Sequence, residues 1–284
     1  MCGIVAVVNF QGLTESDMEA FKHVLVESEK RGSDSTGVGL QDLTVVKAPI
    51  KSSVFVETKM FQNITRKALK QKWIVGHTRH STQGNPKENI NNHPLKIFND
   101  RALVVHNGIV HSEVIKSDKN RTDSYIVAHA VEKSWGPKSL QSIVKEAYTM
   151  FYGYAATIVF SRKSIVFTAV NNPLSLGYLP NGSIVFASVP SFFPVGTTSV
   201  LNFSSGDCLS LNTKGDASKI TVKTAETPKQ VYNWDTVYGD AFPDESDDFD
   251  LDEDDLVQST LFRKDVVVKS VKVKKHWKNY SRWD

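Results

Sequence analysis

Cysteine is scarce: the 284 residues contain only Cys2 and Cys208. Two thiols are too few for a disulfide framework and lack the spacing of a zinc-ligand set. Long apolar runs are also missing, and none reaches the ~18 residues a membrane span requires. The start of the chain has no basic region, apolar stretch and small-residue cleavage site in series, because Asn9 and Gln11 closely follow Cys2–Val8. A cytoplasmic protein without a membrane contact is expected. A Walker-type phosphate loop and a dinucleotide fingerprint are absent as well, and no cofactor or metal is expected.

What is present is ordinary in bulk, with 40% hydrophobic and 23% charged residues, and sufficient for one large core. The net charge of +3 conceals an asymmetry. Ten acids lie between Asp240 and Asp255, followed by eight Lys or Arg and two acids from Arg263 onward. Four regions are read from this: a domain over 1–215, a connecting segment over 216–239, a disordered acidic linker over 240–257 and a basic, aromatic tail over 258–284. The tail interleaves Lys274, Lys275, Lys278 and Arg282 with Trp277, Tyr280 and Trp283. Cations and rings in that order can hold nucleic acid. The favoured alternative is a tail that folds back, pairs with the acidic stretch or docks on a protein.

Within the first region, β-branched runs bounded by Gly, Asn or Pro predict strands at Ile4–Phe10, Thr36–Gln41, Thr44–Ala48, Trp73–Thr78 and Ala102–His106. Further strands are expected at Ala155–Phe160, Ile165–Ala169, Leu174–Leu179, Ser183–Ala187 and Asp207–Leu211, the last with Cys208 as a small core hydrophobe. Helices are expected over Glu15–Glu29, capped by Thr14 with Asp17, and over Glu57–Gln71, Thr122–Ser134 and Lys138–Met150. Strands and helices cluster rather than alternate strictly. An α+β fold of stacked, largely antiparallel sheets covered by helices, a four-layer sandwich, fits that order.

The second residue carries the most chemistry. If Met1 is removed, Cys2 combines a thiol (pKa ~8.5) and an α-amine (~7.7–8.0) in one residue, and one can take the other's proton. The apolar run that follows would hold it at the end of a rigid strand. Four more segments stand out: Arg31-Gly32-Ser33-Asp34-Ser35, Gly76-His77-Thr78-Arg79-His80-Ser81-Thr82-Gln83-Gly84, Val104-Val105-His106-Asn107-Gly108-Ile109-Val110 and Arg121-Thr122-Asp123-Ser124.

With Cys2-Gly3-Ile4-Val5, this ordered set resembles the class II glutamine amidotransferases, by motif over residues 2–124 and by pattern to about 211. The resemblance implies an αββα N-terminal-nucleophile hydrolase fold and hydrolysis of L-glutamine to glutamate and ammonia through a Cys2 thioester. Asn107 can offer a side-chain N–H and Gly108 a backbone N–H to a developing oxyanion, although Asn-Gly after a strand is also a common hairpin turn. Arg79 has the fork geometry for the substrate's α-carboxylate, and a surface arginine is the plainer alternative. The resemblance gives Asp123 the α-ammonium, a role compatible with simple helix capping, and gives Thr82 a hydrogen bond to the bound amino acid. Arg31 corresponds to an arginine that supports the nucleophile strand. His80 replaces a larger aromatic residue over the pocket, and His77 and His106 are read as structural imidazoles.

Synthases of that family continue into an acceptor domain. Only about 73 residues follow Leu211, too few for one. A separately encoded protein partner carrying the ammonia-acceptor site is therefore expected. The competing view is a catalytically silent binding or structural protein, attached to a larger assembly or nucleic acid through its tail.

Overall fold

The computed structural model describes residues 1–97 and 100–228. The acidic linker at 240–257, the basic tail at 258–284 and residues 229–239 of the connecting segment lie outside the described residues, and so does the nucleic-acid reading attached to the tail.

The strands in chain order are β1 (Gly3–Val8), β2 (Ser35–Leu40), β3 (Val45–Ala48), β4 (Trp73–Arg79), β5 (Leu95–Ile97), β6 (Ala102–His111) and β7 (Tyr152–Phe160). They continue with β8 (Ser164–Val170), β9 (Ser175–Tyr178), β10 (Ile184–Ala187), β11 (Thr198–Asn202), β12 (Asp207–Asn212) and β13 (Ala217–Thr221). They form a seven-stranded sheet in the order β11-β9-β10-β1-β4-β2-β3 and a six-stranded sheet in the order β13-β12-β8-β7-β6-β5. Every pairing between these strands is antiparallel.

Alternation along β1 shows how the layers are made. Ile4, Ala6 and Val8 join Val105, Ile158 and Phe167 between the sheets, while Val5 and Val7 pack beneath the helices α1 (Glu15–Glu27) and α3 (Lys59–Ala68) through Phe21, Leu25 and Ile64. The short α2 (Ser52–Phe55) adds Phe55 to the same layer. On the far side, α4 (Ser124–Lys133) and α5 (Leu140–Ala147) cover the six-stranded sheet with Val127, Val131 and Val144. A period-two strand buried on both faces reads as one continuous apolar run, and such runs predict the four layers seen here.

Element ends differ from expectation for local reasons. Thr14 caps α1 with the reciprocal Asp17 bonds of a capping box, but the helix ends at Glu27 in a 3₁₀ turn. Thr58 caps α3 through the Phe61 N–H at 3.2 Å, so that helix starts at Lys59 rather than Glu57. The helices expected over Thr122–Ser134 and Lys138–Met150 are shorter at both ends. The strand expected to stop at His106 runs on to His111. Three short strands, β5, β11 and β13, carry too little pattern to have been anticipated. The last extends the six-stranded sheet beyond residue 215 by pairing with β12.

Candidate active site

β1 lies between β10 and β4, and Gly3 pairs with Thr78. This register brings the residues just before β1 beside the end of β4, where Arg79 and His80 begin a loop. Half-buried Cys2 is fixed there by three contacts. Its N–H donates to Asn107 Oδ1 at 3.1 Å, its carbonyl accepts from Arg31 Nε at 2.7 Å, and its Sγ accepts the His80 backbone N–H at 3.4 Å. Burial pushes the thiol above its ordinary range. The His80 N–H, the terminal ammonium and Arg79 pull it down, and Asp123 adds to the rise.

Asn107 and Gly108 sit inside β6, paired with Ala156 and Ala155 of β7. They do not form a hairpin turn. Gly108 has φ of +148°, and a Cβ there would lie 1.8 Å from the Tyr154 carbonyl oxygen, so only glycine fits. Asn107 is buried, and its Nδ2 has no protein partner. The bond from Cys2 to Oδ1 fixes which way the carboxamide faces. Asn172, which no motif drew attention to, donates from Nδ2 to the Asn107 carbonyl at 2.5 Å.

Arg79 is 2% exposed, far from the plain surface arginine considered above. Nη1 donates to Asn92 Oδ1 and Nη2 to the Gly84 carbonyl, both at 2.9 Å, with a further bond from Nη2 to the Gln83 carbonyl. Among the described residues it forms no ion pair. Asp34 lies nearby, but its carboxylate accepts the Ser81 N–H at 2.7 Å. Asp123 precedes α4 without capping it. Its Oδ2 accepts the Val110 N–H at 3.0 Å and its Oδ1 the Thr122 hydroxyl at 3.2 Å, and it too has no ion pair among the described residues.

Cys2, Arg79, Thr82, Asn107, Gly108 and Asp123 all line one cavity of about 350 Å³, the size of a small-molecule site. Arg31 stands behind it, holding the Cys2 carbonyl. A cation and an anion that form no ion pair among the described residues, and an amide with an unused N–H, therefore line one cavity with Cys2.

Three histidines fill the space behind. His77 Nε2 meets the His106 carbonyl at 3.0 Å, His106 Nδ1 meets Ser124 Oγ at 2.9 Å, and the His77 and His93 rings are 4.1 Å apart. Burial pushes His77 down to about 3 and holds His93 well below the usual range. It lowers His106 as well, against the pull of Asp123. His93 also lines the cavity, and nothing in its local sequence marked it. Among the described residues no group of three His, Cys, Asp or Glu side chains could hold a metal ion, and no helix is long and apolar enough to cross a membrane.

No protein-family model matches the chain. It is 28% identical over 212 residues to a glutamine–fructose-6-phosphate aminotransferase of Sulfurisphaera tokodaii, an alignment covering 68% of this chain and 34% of the relative. The chain thus spans about a third of the length of the curated relatives it matches. In fold it is similar to a glutamine phosphoribosylpyrophosphate amidotransferase from B. subtilis, with a TM-score of 0.59 and 21% identity over 78% of this chain and 49% of that one. A class-II domain protein from Silicibacter pomeroyi gives a TM-score of 0.50 at 8% identity, covering 78% of this chain and 100% of its own. In sequence the chain is thus similar to glutamine–fructose-6-phosphate aminotransferases, and in its αββα fold it is similar to glutamine phosphoribosylpyrophosphate amidotransferase and a class-II glutamine aminotransferase domain protein.

Proposed function

We propose that this chain hydrolyses the side-chain amide of L-glutamine, with Cys2 as nucleophile once Met1 has been removed. Met1 is 72% exposed, within reach of an aminopeptidase. Its loss turns the Cys2 N–H into an amine that Asn107 Oδ1 already holds. That amine takes the thiol proton as Sγ attacks the amide carbon. The carbonyl oxygen becomes an oxyanion facing Asn107 Nδ2 and the Gly108 backbone. When the tetrahedral species collapses, the C–N bond breaks, the proton passes to the leaving nitrogen and ammonia departs from a thioester. Water then cleaves the thioester to glutamate and restores the thiol.

The observation that carries this reading is the pair of opposite charges, Arg79 and Asp123, each without an ion pair among the described residues, on one cavity with Cys2. An α-amino acid bears the complementary pair, a carboxylate for the guanidinium fork and an ammonium for the carboxylate. Thr82, exposed at the rim, adds a hydroxyl for the same end of the substrate.

Ammonia in neutral water is mostly ammonium and a poor nucleophile, so the reading includes a separately encoded partner with the acceptor site. It also places the reaction in the cytoplasm, where the two free cysteines stay reduced.

Intact mass and glutamate release test the proposal together. The expected result is a species lacking one methionine that releases glutamate, and loss of that release in Cys2→Ala with an unchanged circular dichroism spectrum. Full retention of Met1, or a Cys2→Ala variant as active as the parent, overturns it in favour of a silent binding protein.

A further inference from the structure

Two adjacent asparagines behind the cavity connect its opposite charges without touching the cavity themselves. Asn91 and Asn92 are both 0% exposed, and burying two carboxamides is costly unless their polar atoms are bonded. All of them are, and the partners divide by side of the site. Asn92 Oδ1 accepts from Arg79 Nη1 at 2.9 Å, while its Nδ2 donates to the Pro86 carbonyl at 2.7 Å and Asn89 Oδ1 at 3.1 Å. Asn91 Oδ1 accepts the Thr122 N–H at 3.3 Å, and its Nδ2 donates to the carbonyls of Asn120 at 3.2 Å and Asn85 at 3.3 Å.

One asparagine therefore holds the guanidinium, and its neighbour holds the backbone one residue before Asp123. The same unit is closed from the other end by Gly84. Its carbonyl accepts Arg79 Nη2 at 2.9 Å, and its φ of +75° lets the turn lie against the other arm: a Cβ there would come within 2.9 Å of the Thr122 nitrogen and 3.0 Å of Asn91 Cγ. Lys47 fixes the centre from behind, donating from Nζ to the carbonyls of Asn92 at 2.6 Å and Pro94 at 3.1 Å.

We infer that Asn91 and Asn92 form a positioning bracket that sets the spacing between Arg79 and Asp123, and so makes the site selective for ligands bearing a carboxylate and an ammonium on one carbon. The inference rests on the glutaminase reading above and extends it to residues outside the cavity. A fixed fork orients a carboxylate in two bonds at once, and a site whose buried groups expect a partner penalises a ligand that lacks it. The division of partners makes the two residues separable. Asn92 governs recognition of the carboxylate and Asn91 recognition of the ammonium.

Three amides read this out on the full chain: L-glutamine, 4-aminobutanamide, which lacks the α-carboxylate, and 4-carbamoylbutanoate, which lacks the α-ammonium. Asn92→Ala is expected to raise KM for L-glutamine by about tenfold or more while kcat changes little, and to narrow the preference over 4-aminobutanamide. Asn91→Ala is expected to narrow the preference over 4-carbamoylbutanoate instead. Alkylation of Cys2 by iodoacetamide, which carries neither charge, should proceed at the parental rate in both variants and thereby shows that the nucleophile is still in place. Variants that keep both selectivity ratios, or that lose kcat on every amide alike, overturn the bracket. A parent chain that hydrolyses none of the three amides overturns the glutaminase reading itself, a result distinguishable from failure of the bracket alone.

Discussion

The Asn107 carboxamide is divided between two tasks: Oδ1 accepts the Cys2 N–H at 3.1 Å, and Nδ2 is buried with no protein partner. An unsatisfied buried donor costs free energy in the empty site. A charge that forms only during reaction would repay that cost. Asn107→Ala is accordingly expected to lower kcat for glutamine by about 10²–10³ with little change in KM. Steady-state kinetics checks this, and a kcat within threefold of the parent's would refute the oxyanion role.

Arg79 is held by three acceptors on its own chain and forms no ion pair among the described residues. Lysine keeps the charge but not the fork. Arg79→Lys should raise KM by about tenfold or more, from the loss of one charge-assisted bond. An unchanged KM would remove Arg79 from substrate binding.

The Gly108 backbone admits no side chain, since a Cβ would stand 1.8 Å from the Tyr154 oxygen. Gly108→Ala must part β6 from β7 beside the cavity that Cys2 lines, and a drop in Tm of several degrees with loss of activity is expected. Thermal denaturation decides the matter, and a parental Tm would mean the strands separate there at no cost.

Acid should destabilise the fold through its histidines. Above about 6.5, the ordinary imidazole pKa, both folded and unfolded chains are neutral at these positions and nothing is lost. As pH falls further, the unfolded chain binds protons that buried His77, His93 and His106 refuse, with His77 down at about 3. Stability therefore declines by about 1.4 kcal/mol per pH unit for each such imidazole until the folded chain itself protonates. Urea midpoints at pH 7 and pH 5 measure this. Equal midpoints would contradict neutral burial, and His77→Gln should lessen the decline.

Much of this architecture was legible because burial on both faces writes itself as apolar runs: Ile4–Val8 and Trp73–Val75 announced central strands of the first sheet. Asn107-Gly108 is read for an oxyanion with a hairpin turn as the alternative, and the turn is excluded because the dipeptide's local preference is overridden by pairing with β7 across nine residues of register. Asn91, Asn92, His93 and Asn172 stayed hidden for a different reason. Their importance lies in partners such as Arg79, Thr122, His77 and Asn107, and no period in the chain marks a polar residue that is buried by its neighbours rather than by its own element. β11 is exposed along its whole length and had no apolar alternation to betray it.

The position of β1 in the middle of its sheet also constrains the order of events at synthesis. β1 is made before either of its neighbours, and it needs β4 at Trp73–Arg79 and then β10 at Ile184–Ala187 to complete its two sides. Pairing across such separations is slow and cannot precede the later strand. Throughout that interval Met1 and Cys2 are attached to an uncompleted strand. Cys2 therefore reaches its contacts with Asn107 and His80 only after segments far along the chain have arrived.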